Sequence, residues 1–318
     1  AATAATLGYD VGIMAAAINP LQETMDLSGV QKELAMGSLN FFAALGAVLG
    51  GNIANQHGRK YTVKVCCWIF VGGTLLMAGA PNYYLFLLGR IITGMGVGVS
   101  FVVAPVYLSE VSPTHLRGRL NTVFDVAING GILLGYILGF LVQLIPALEP
   151  RFKWRVMLGL GLVLPVIVLW NLKHLPESPR WLVMVGQPAA ANQVMRELGT
   201  SADKILKAIA SIEEELQQEE EYSSLEGNSQ TSPNRLSPLS AVLRCHYSAN
   251  MKLAMALGFW QQITGTEAVL YYSADFLEKA GLESPTQRLL GNCFVGLCKL
   301  TPELVAMYWV DKVGRRPL

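Results

Sequence analysis

The sequence predicts an all-α membrane protein, and three observations carry that prediction. Of its 318 residues, 52% are hydrophobic and only 15% are charged, where soluble domains carry about 25%. The apolar residues fall in long blocks, giving a mean hydropathy of +0.38. Within those blocks glycines recur every four residues, a spacing that lets helices approach closely. In hydrocarbon every backbone amide needs an internal partner, so the blocks must be helices and not open strands.

Blocks of spanning length, about 20 residues, fall at 1–18, 34–54, 62–80, 84–107, 119–143, 155–173, 252–274 and 288–310. That is about eight helices by hydropathy, the first cut short. Gly46/Gly50, Gly94/Gly98 and Gly131/Gly135/Gly139 mark the packing faces. Gly94-Met-Gly-Val-Gly98 could pass for a phosphate loop, but no strand precedes it and packing is the better reading. Between 174 and 250 the character changes. Segments 182–198 and 202–216 have helical periodicity, 213–221 is acidic, and 223–240 is rich in Ser, Pro, Asn and Gly. The acidic run reads as a solvated face and the last stretch as flexible linker. Three units are therefore expected: a six-helix transmembrane bundle at 1–173, a cytoplasmic linker with short helices at 174–250, and the start of a second bundle at 251–318.

Basic residues set the orientation. His57, Arg59, Lys60 and Lys64 follow the second block; His115, Arg117 and Arg119 follow the fourth; Lys312, Arg315 and Arg316 close the chain. The intervening loops are poor in basic residues, and 22–33 is net acidic, so the basic loops are expected on the cytoplasmic side. The chain starts inside an apolar run and stops at a basic turn that would lead into another helix, so it is expected to be a fragment.

A net charge of +1 argues against nucleic acid, which needs a basic face. Cys66/Cys67 and Cys293/Cys298 lie in apolar runs without metal-ligand spacing and read as small hydrophobes. No Asn-x-Ser/Thr acceptor occurs. Neither a nucleophile–base set nor a phosphate loop is present, so no enzyme, metal or cofactor is expected.

Ionisable residues inside the blocks are the functional candidates, since a charge at the bilayer centre costs about 2.5–3.5 kcal/mol on insertion scales. Asp10 lies in the first block, and Arg90, a few residues into the fourth, is the obvious cation for it. Burial disfavours a carboxylate's charge and a neighbouring cation restores it, so the two make either a switchable proton carrier or a fixed structural ion pair. Asp125 and Asn129 are one turn apart and share a face. They suit sugar hydroxyls, or interhelical hydrogen bonds. In the seventh block Gln261-Gln-Ile-Thr-Gly-Thr-Glu267 precedes Tyr271-Tyr272, and Gly265 between two threonines weakens the helix, as expected where a broken helix lines a cavity. Amides, a carboxylate and flat tyrosines are the chemistry of a hydroxyl-rich ligand. Lys299 and Glu303, one turn apart, read as a locally neutralised pair.

With these residues in hand the chain resembles the sugar porters of the major facilitator superfamily over nearly its whole length. Pro105-Val-Tyr-Leu-Ser-Glu110 through Arg117-Gly-Arg119 resembles their loop between helices four and five. Asn55-Gln-His-Gly-Arg-Lys60 resembles the basic turn between helices two and three, although its opening Asn-Gln departs from the usual acidic-basic start. Gly89-Arg90, Pro176-Glu-Ser-Pro-Arg-Trp181, and Gln261-Gln262 with Tyr271-Tyr272 resemble three further motifs, and 311–316 repeats the basic turn. Acidic Asp10, Asp125 and Glu267, with Asn129 and Lys299, are most similar to the polyol and monosaccharide proton symporters. The resemblance implies alternating access, with Asp10 and Arg90 coupling protons. It implies sugar or polyol binding at Asp125, Asn129, Gln261, Gln262, Glu267, Tyr271 and Tyr272. A cytoplasmic gate would comprise Arg59, Glu110, Arg117, Glu177, Arg180, Arg315 and Arg316. It further implies a monomer in the bilayer, at the plasma membrane or else a vacuolar or plastid membrane. A passive facilitator and a transporter-like sugar sensor remain as alternatives, and Asp10 counts against the first.

Overall fold

The computed structural model describes residues 2–112, 117–198, 205–206, 209–214, 217, 249–282 and 284–313. Its described elements are helices. They are α1 (Ala2–Met25), α2 (Gly29–His57), α3 (Arg59–Ala78), α4 (Tyr83–Val111), α5 (Arg117–Gln143) and α6 (Pro150–His174), the last interrupted by 3-10 turns at Leu160–Leu162 and Leu172–His174. Short helices α7 (Pro179–Met184) and α8 (Pro188–Glu197) follow, then α9 (Ala249–Ile263), α10 (Thr266–Tyr271), α11 (Ser273–Lys279) and α12 (Pro285–Val313).

The starts of these helices are written locally. Ser28 and Gln31 form a reciprocal capping box at α2, closing two otherwise unpaired amides. Asn82 Oδ1 accepts from the Leu85 amide at 3.0 Å to open α4. Ser178 caps α7 ahead of Pro179, whose missing N–H is no loss at a first helical position.

Among the described residues, α2–α6 and α12 are long and apolar enough to cross a bilayer. The other two expected spans take a different form. Residues 6–18 of α1 are buried without a break, so this helix meets protein rather than lipid and can be built from Ala, Gly and Thr. The seventh block is three short helices, because Gly265 adopts φ +67° and interrupts the ladder. A left-handed conformation costs other residues roughly 1–2 kcal/mol and glycine almost nothing.

α1 packs along α5, α2 and α3 pack along α4, and α5 packs along α12. The glycine faces make the first of these contacts close. A side chain at Gly8 or Gly131 would collide with a backbone carbonyl, that of Ile128 or Ala5 respectively, whereas Gly130 faces open space. Gly46 and Gly98 sit equally close to the facing backbones of α4 and α2.

Neighbouring glycines should therefore behave oppositely. Gly131→Ala is expected to cost about 1–3 kcal/mol by overpacking, lowering the melting temperature of the purified protein, while Gly130→Ala is expected to be neutral or slightly stabilising. Equal melting of the two variants would reject the close α1–α5 contact.

Candidate functional site

The centre of the bundle holds an ion pair. Arg90 of α4 is fully buried and Asp10 of α1 is 7% exposed. Arg90 Nη1 donates to Asp10 Oδ2 at 2.6 Å, and Nε donates to the Ala35 carbonyl oxygen of α2 at 3.0 Å. Removing one partner of such a pair leaves an uncompensated buried charge, which typically costs about 3–5 kcal/mol. Tyr271 of α10 is buried beside the Arg90 guanidinium, and its hydroxyl closes no well-aligned hydrogen bond. The pair thus sits where the second set of helices meets the first. Next to Asp10, the Tyr9 hydroxyl donates to the Met157 carbonyl oxygen at 2.6 Å, tying α1 to α6.

A second polar group links α5 to α12. The buried Asn129 donates through Nδ2 to both carboxylate oxygens of Glu303, at 2.5 and 2.6 Å, and to the Asp125 carbonyl oxygen at 3.2 Å. Its Oδ1 is buried without a partner. Glu303 therefore reaches across to α5, with Lys299 and Asp125 as further electrostatic neighbours; sequence spacing paired it with Lys299 alone. Asp125 is exposed although one turn from Asn129. Glu267 accepts from Asn40 Nδ2 of α2 at 2.9 Å. Gln261 and Gln262 are exposed at the end of α9, one turn before the Gly265 break, while Tyr272 packs half-buried against the core.

At the basic end a third cluster knits three segments. Arg59 meets Glu110 in a two-pronged contact, Nε to Oε2 at 2.8 Å and Nη2 to Oε1 at 2.9 Å. Both side chains are under 10% exposed. Ser178 Oγ also donates to Glu110, at 2.6 Å. Glu177 accepts from the backbone amides of Arg59 and Lys60, at 2.9 and 3.1 Å. A carboxylate there caps the positive end of α3. Arg180 is half-buried in the first turn of α7. Arg117 opens α5, but its side chain lies outside the described residues, as do Arg315 and Arg316.

At the opposite end Lys32 of α2 pairs with Asp275 of α11 at 3.1 Å, beside a cavity of about 860 Å³ lined by Asn19, Glu23, Lys153 and Arg288 among others. Sequence reasoning missed Lys32–Asp275 and Asn40–Glu267. Asn40, an amide within an apolar block, was the available signal. The structure thus gathers Asp10, Arg90 and Tyr271; Asn129 and Glu303; and Arg59, Glu110 and Glu177. Among the described residues, it does not bring Gln261 or Gln262 into a hydrogen bond with the other candidates.

This helix bundle, with a buried carboxylate–guanidinium pair at its centre and hydrogen-bonding groups converging from a second, broken set of helices, has the fold of the major facilitator superfamily. The chain belongs to the sugar porter family within it: the family model described as "Sugar (and other) transporter" matches residues 1–318. It is 35% identical to polyol transporter 5 and 34% identical to probable polyol transporter 4, both of Arabidopsis thaliana, over 99% and 98% of this chain. The chain spans 59% and 57% of the length of those two relatives. Among solved structures it is similar to the proton:xylose symporter XylE bound to 6-bromo-6-deoxy-D-glucose, with a TM-score of 0.83 and 25% identity over 99% of this chain and 69% of that one.

Burial separates the ion pairs energetically. Glu110→Gln is expected to cost about 3 kcal/mol, because it strands the buried Arg59. Glu149→Gln, which removes the partner of Arg151 where both side chains are more than 60% exposed, should cost under about 1 kcal/mol. Thermal melting of the two purified variants compares them directly, and similar melting temperatures would reject the buried character of the first pair.

Proposed function

We infer that the full-length protein carries monosaccharides or polyols across a membrane together with protons, by alternating access. The observation that carries this reading is the Asp10–Arg90 pair, buried at the meeting of α1, α2, α4 and α10. Family membership and the similarity to polyol transporters and a proton:xylose symporter support it. A protonated Asp10 no longer offers Arg90 a full negative charge. The guanidinium then relaxes toward the Ala35 and Met36 carbonyl oxygens, which it already meets, and toward Tyr271. A change of a few kcal/mol at this point is enough to move a two-state equilibrium decisively.

Sugar or polyol binds between the two helix sets. Asp125 and Glu267 accept hydroxyl protons, Gln261, Gln262 and Asn129 donate and accept, and Tyr271 and Tyr272 provide flat apolar faces. Glu303 competes for Asn129 and is released as a substrate hydroxyl takes its place. Residues 1–173 and 251–318 act as the two bodies, with 174–250 linking them on the cytoplasmic side. Arg59, Glu110, Glu177 and Arg180 form a latch at that side, completed by Arg117, Arg315 and Arg316. Several pairs acting together bias the equilibrium where one exposed pair would contribute under about 1 kcal/mol.

Uptake of labelled hexoses and polyols into transporter-deficient cells, with external pH recorded, tests the reading. Alkalinisation on adding one substrate is expected, with accumulation abolished by an uncoupler. Asp10→Asn should lose accumulation and keep exchange down a gradient. Undiminished accumulation by that variant would remove the coupling role, and uptake by the parent that only equilibrates would leave a facilitator.

A further inference from the structure

Asp10 is approached from two sides. On one stands Arg90, with the carbonyls of α2 behind it. On the other is an internal cavity bounded by α1, α3, α4 and α6, which Arg90 does not line. Its polar lining is Thr6, Tyr9, Asp10, Thr74 and Thr93, the remainder is apolar, and every lining residue is buried. The space open to the centre of a water-sized sphere is about 10 Å³. That is room for one water molecule and far too little for a sugar.

The polar groups around the cavity are not equally engaged. Tyr9 and Thr6 donate to the carbonyl oxygens of Met157 and Ala2, at 2.6 and 3.1 Å. Thr93 is 1% exposed, and its hydroxyl oxygen has no partner. A threonine inside a helix commonly returns its hydroxyl to the carbonyl one turn back, as Thr62 does to Gly58 at 2.7 Å; Thr93 does not. A buried hydroxyl left unpaired is unfavourable, and Thr93 lines the same small space as Asp10.

We propose that this cavity binds one water molecule bridging the Asp10 carboxylate and the Thr93 hydroxyl, and that Thr93 is the positioning residue for it. With Asp10 ionised and held by Arg90, the water donates one hydrogen to the carboxylate and accepts from Thr93. With Asp10 protonated, the acid's O–H donates to the water, and the water donates to Thr93 Oγ1. A hydroxyl both donates and accepts, so the chain reverses its direction without losing a bond. The titratable groups facing Asp10 are Arg90 of α4, Tyr9 of α1 and Tyr271 of α10. From α3 and α6 come Phe70, Thr74 and Leu158, and α5 lays Ile128 and Ile132 against this stretch of α1. Thr74 of α3 brings another hydroxyl to the cavity wall.

The transport readout rests on the proton-coupling role of Asp10; the water site itself does not. In the full-length protein, Thr93→Val keeps the shape and removes the hydroxyl, and Thr93→Ser keeps the hydroxyl. An ionised carboxylate gains most from a hydrogen bond. Uptake by Thr93→Val is therefore expected to reach half its maximum about one pH unit higher, with Thr93→Ser unchanged. In infrared difference spectra, the carboxylic C=O band that disappears in Asp10→Asn should move to higher wavenumber in Thr93→Val. A Thr93→Val protein with the parental pH profile and the parental band overturns the proposal. If that variant fails to reach the membrane, a high-resolution map of the parent decides: ordered density between Asp10 and Thr93 is expected, and an empty cavity overturns it. Should Asp10→Asn still accumulate sugar, the coupling role falls, while the map still settles the water.

Discussion

The interior of this protein is organised around a guanidinium that has no water to turn to. Arg90 is fully buried in a helix that crosses the membrane, so every one of its contacts has to come from another part of the chain. The carboxylate of Asp10 supplies the opposite charge and two carbonyls of α2 supply acceptors. Three helices, α1, α2 and α4, are fixed relative to one another by that single demand. The glycine faces make the arrangement reachable. α1 approaches α5, and α2 approaches α4, until backbone meets backbone, which positions Asp10 and Ala35 around the guanidinium.

The same requirement is met differently at the basic end, where water is near. There Glu110 and Glu177 each engage several donors, and one of them caps a helix rather than a side chain. Both clusters lie among the first six spans and the segment that follows them. Among the described residues, polar contacts from these helices to α9–α12 include Asn40–Glu267, Lys32–Asp275 and Asn129–Glu303, of which the first is exposed and the other two are partly buried. The junction also carries buried contacts: the Tyr136 hydroxyl donates to the Leu270 carbonyl oxygen at 3.2 Å, and Leu270, Tyr271 and Leu289 join the core formed by the first helices.

Much of this was legible in the chain. Long apolar blocks fix the helices, since hydrocarbon allows the backbone no other way to satisfy itself. Glycine spacing identified the close faces, Gly265 identified the break, and a buried Asp with a buried Arg identified the central pair. Partners between helices were not legible. Glu303 has Lys299 one turn away in sequence, yet it lies against Asn129 of α5, because helical spacing reports only neighbours on the same helix. Lys32 and Asp275 are separated by most of the chain and belong to stretches whose polarity is unremarkable for loops near water.

The sequence by itself determined the class of solvent the protein lives in, where its helices run, where one of them breaks, and which ionisable residues are too costly to bury without purpose. These are local consequences of composition and periodicity. Only the tertiary structure decided which carboxylate meets which donor, that α1 is enclosed by protein, and that Thr93 keeps an unpaired hydroxyl beside Asp10. Those outcomes depend on how the helices are rotated and how deeply they sit against one another, and no residue spacing along one helix records either.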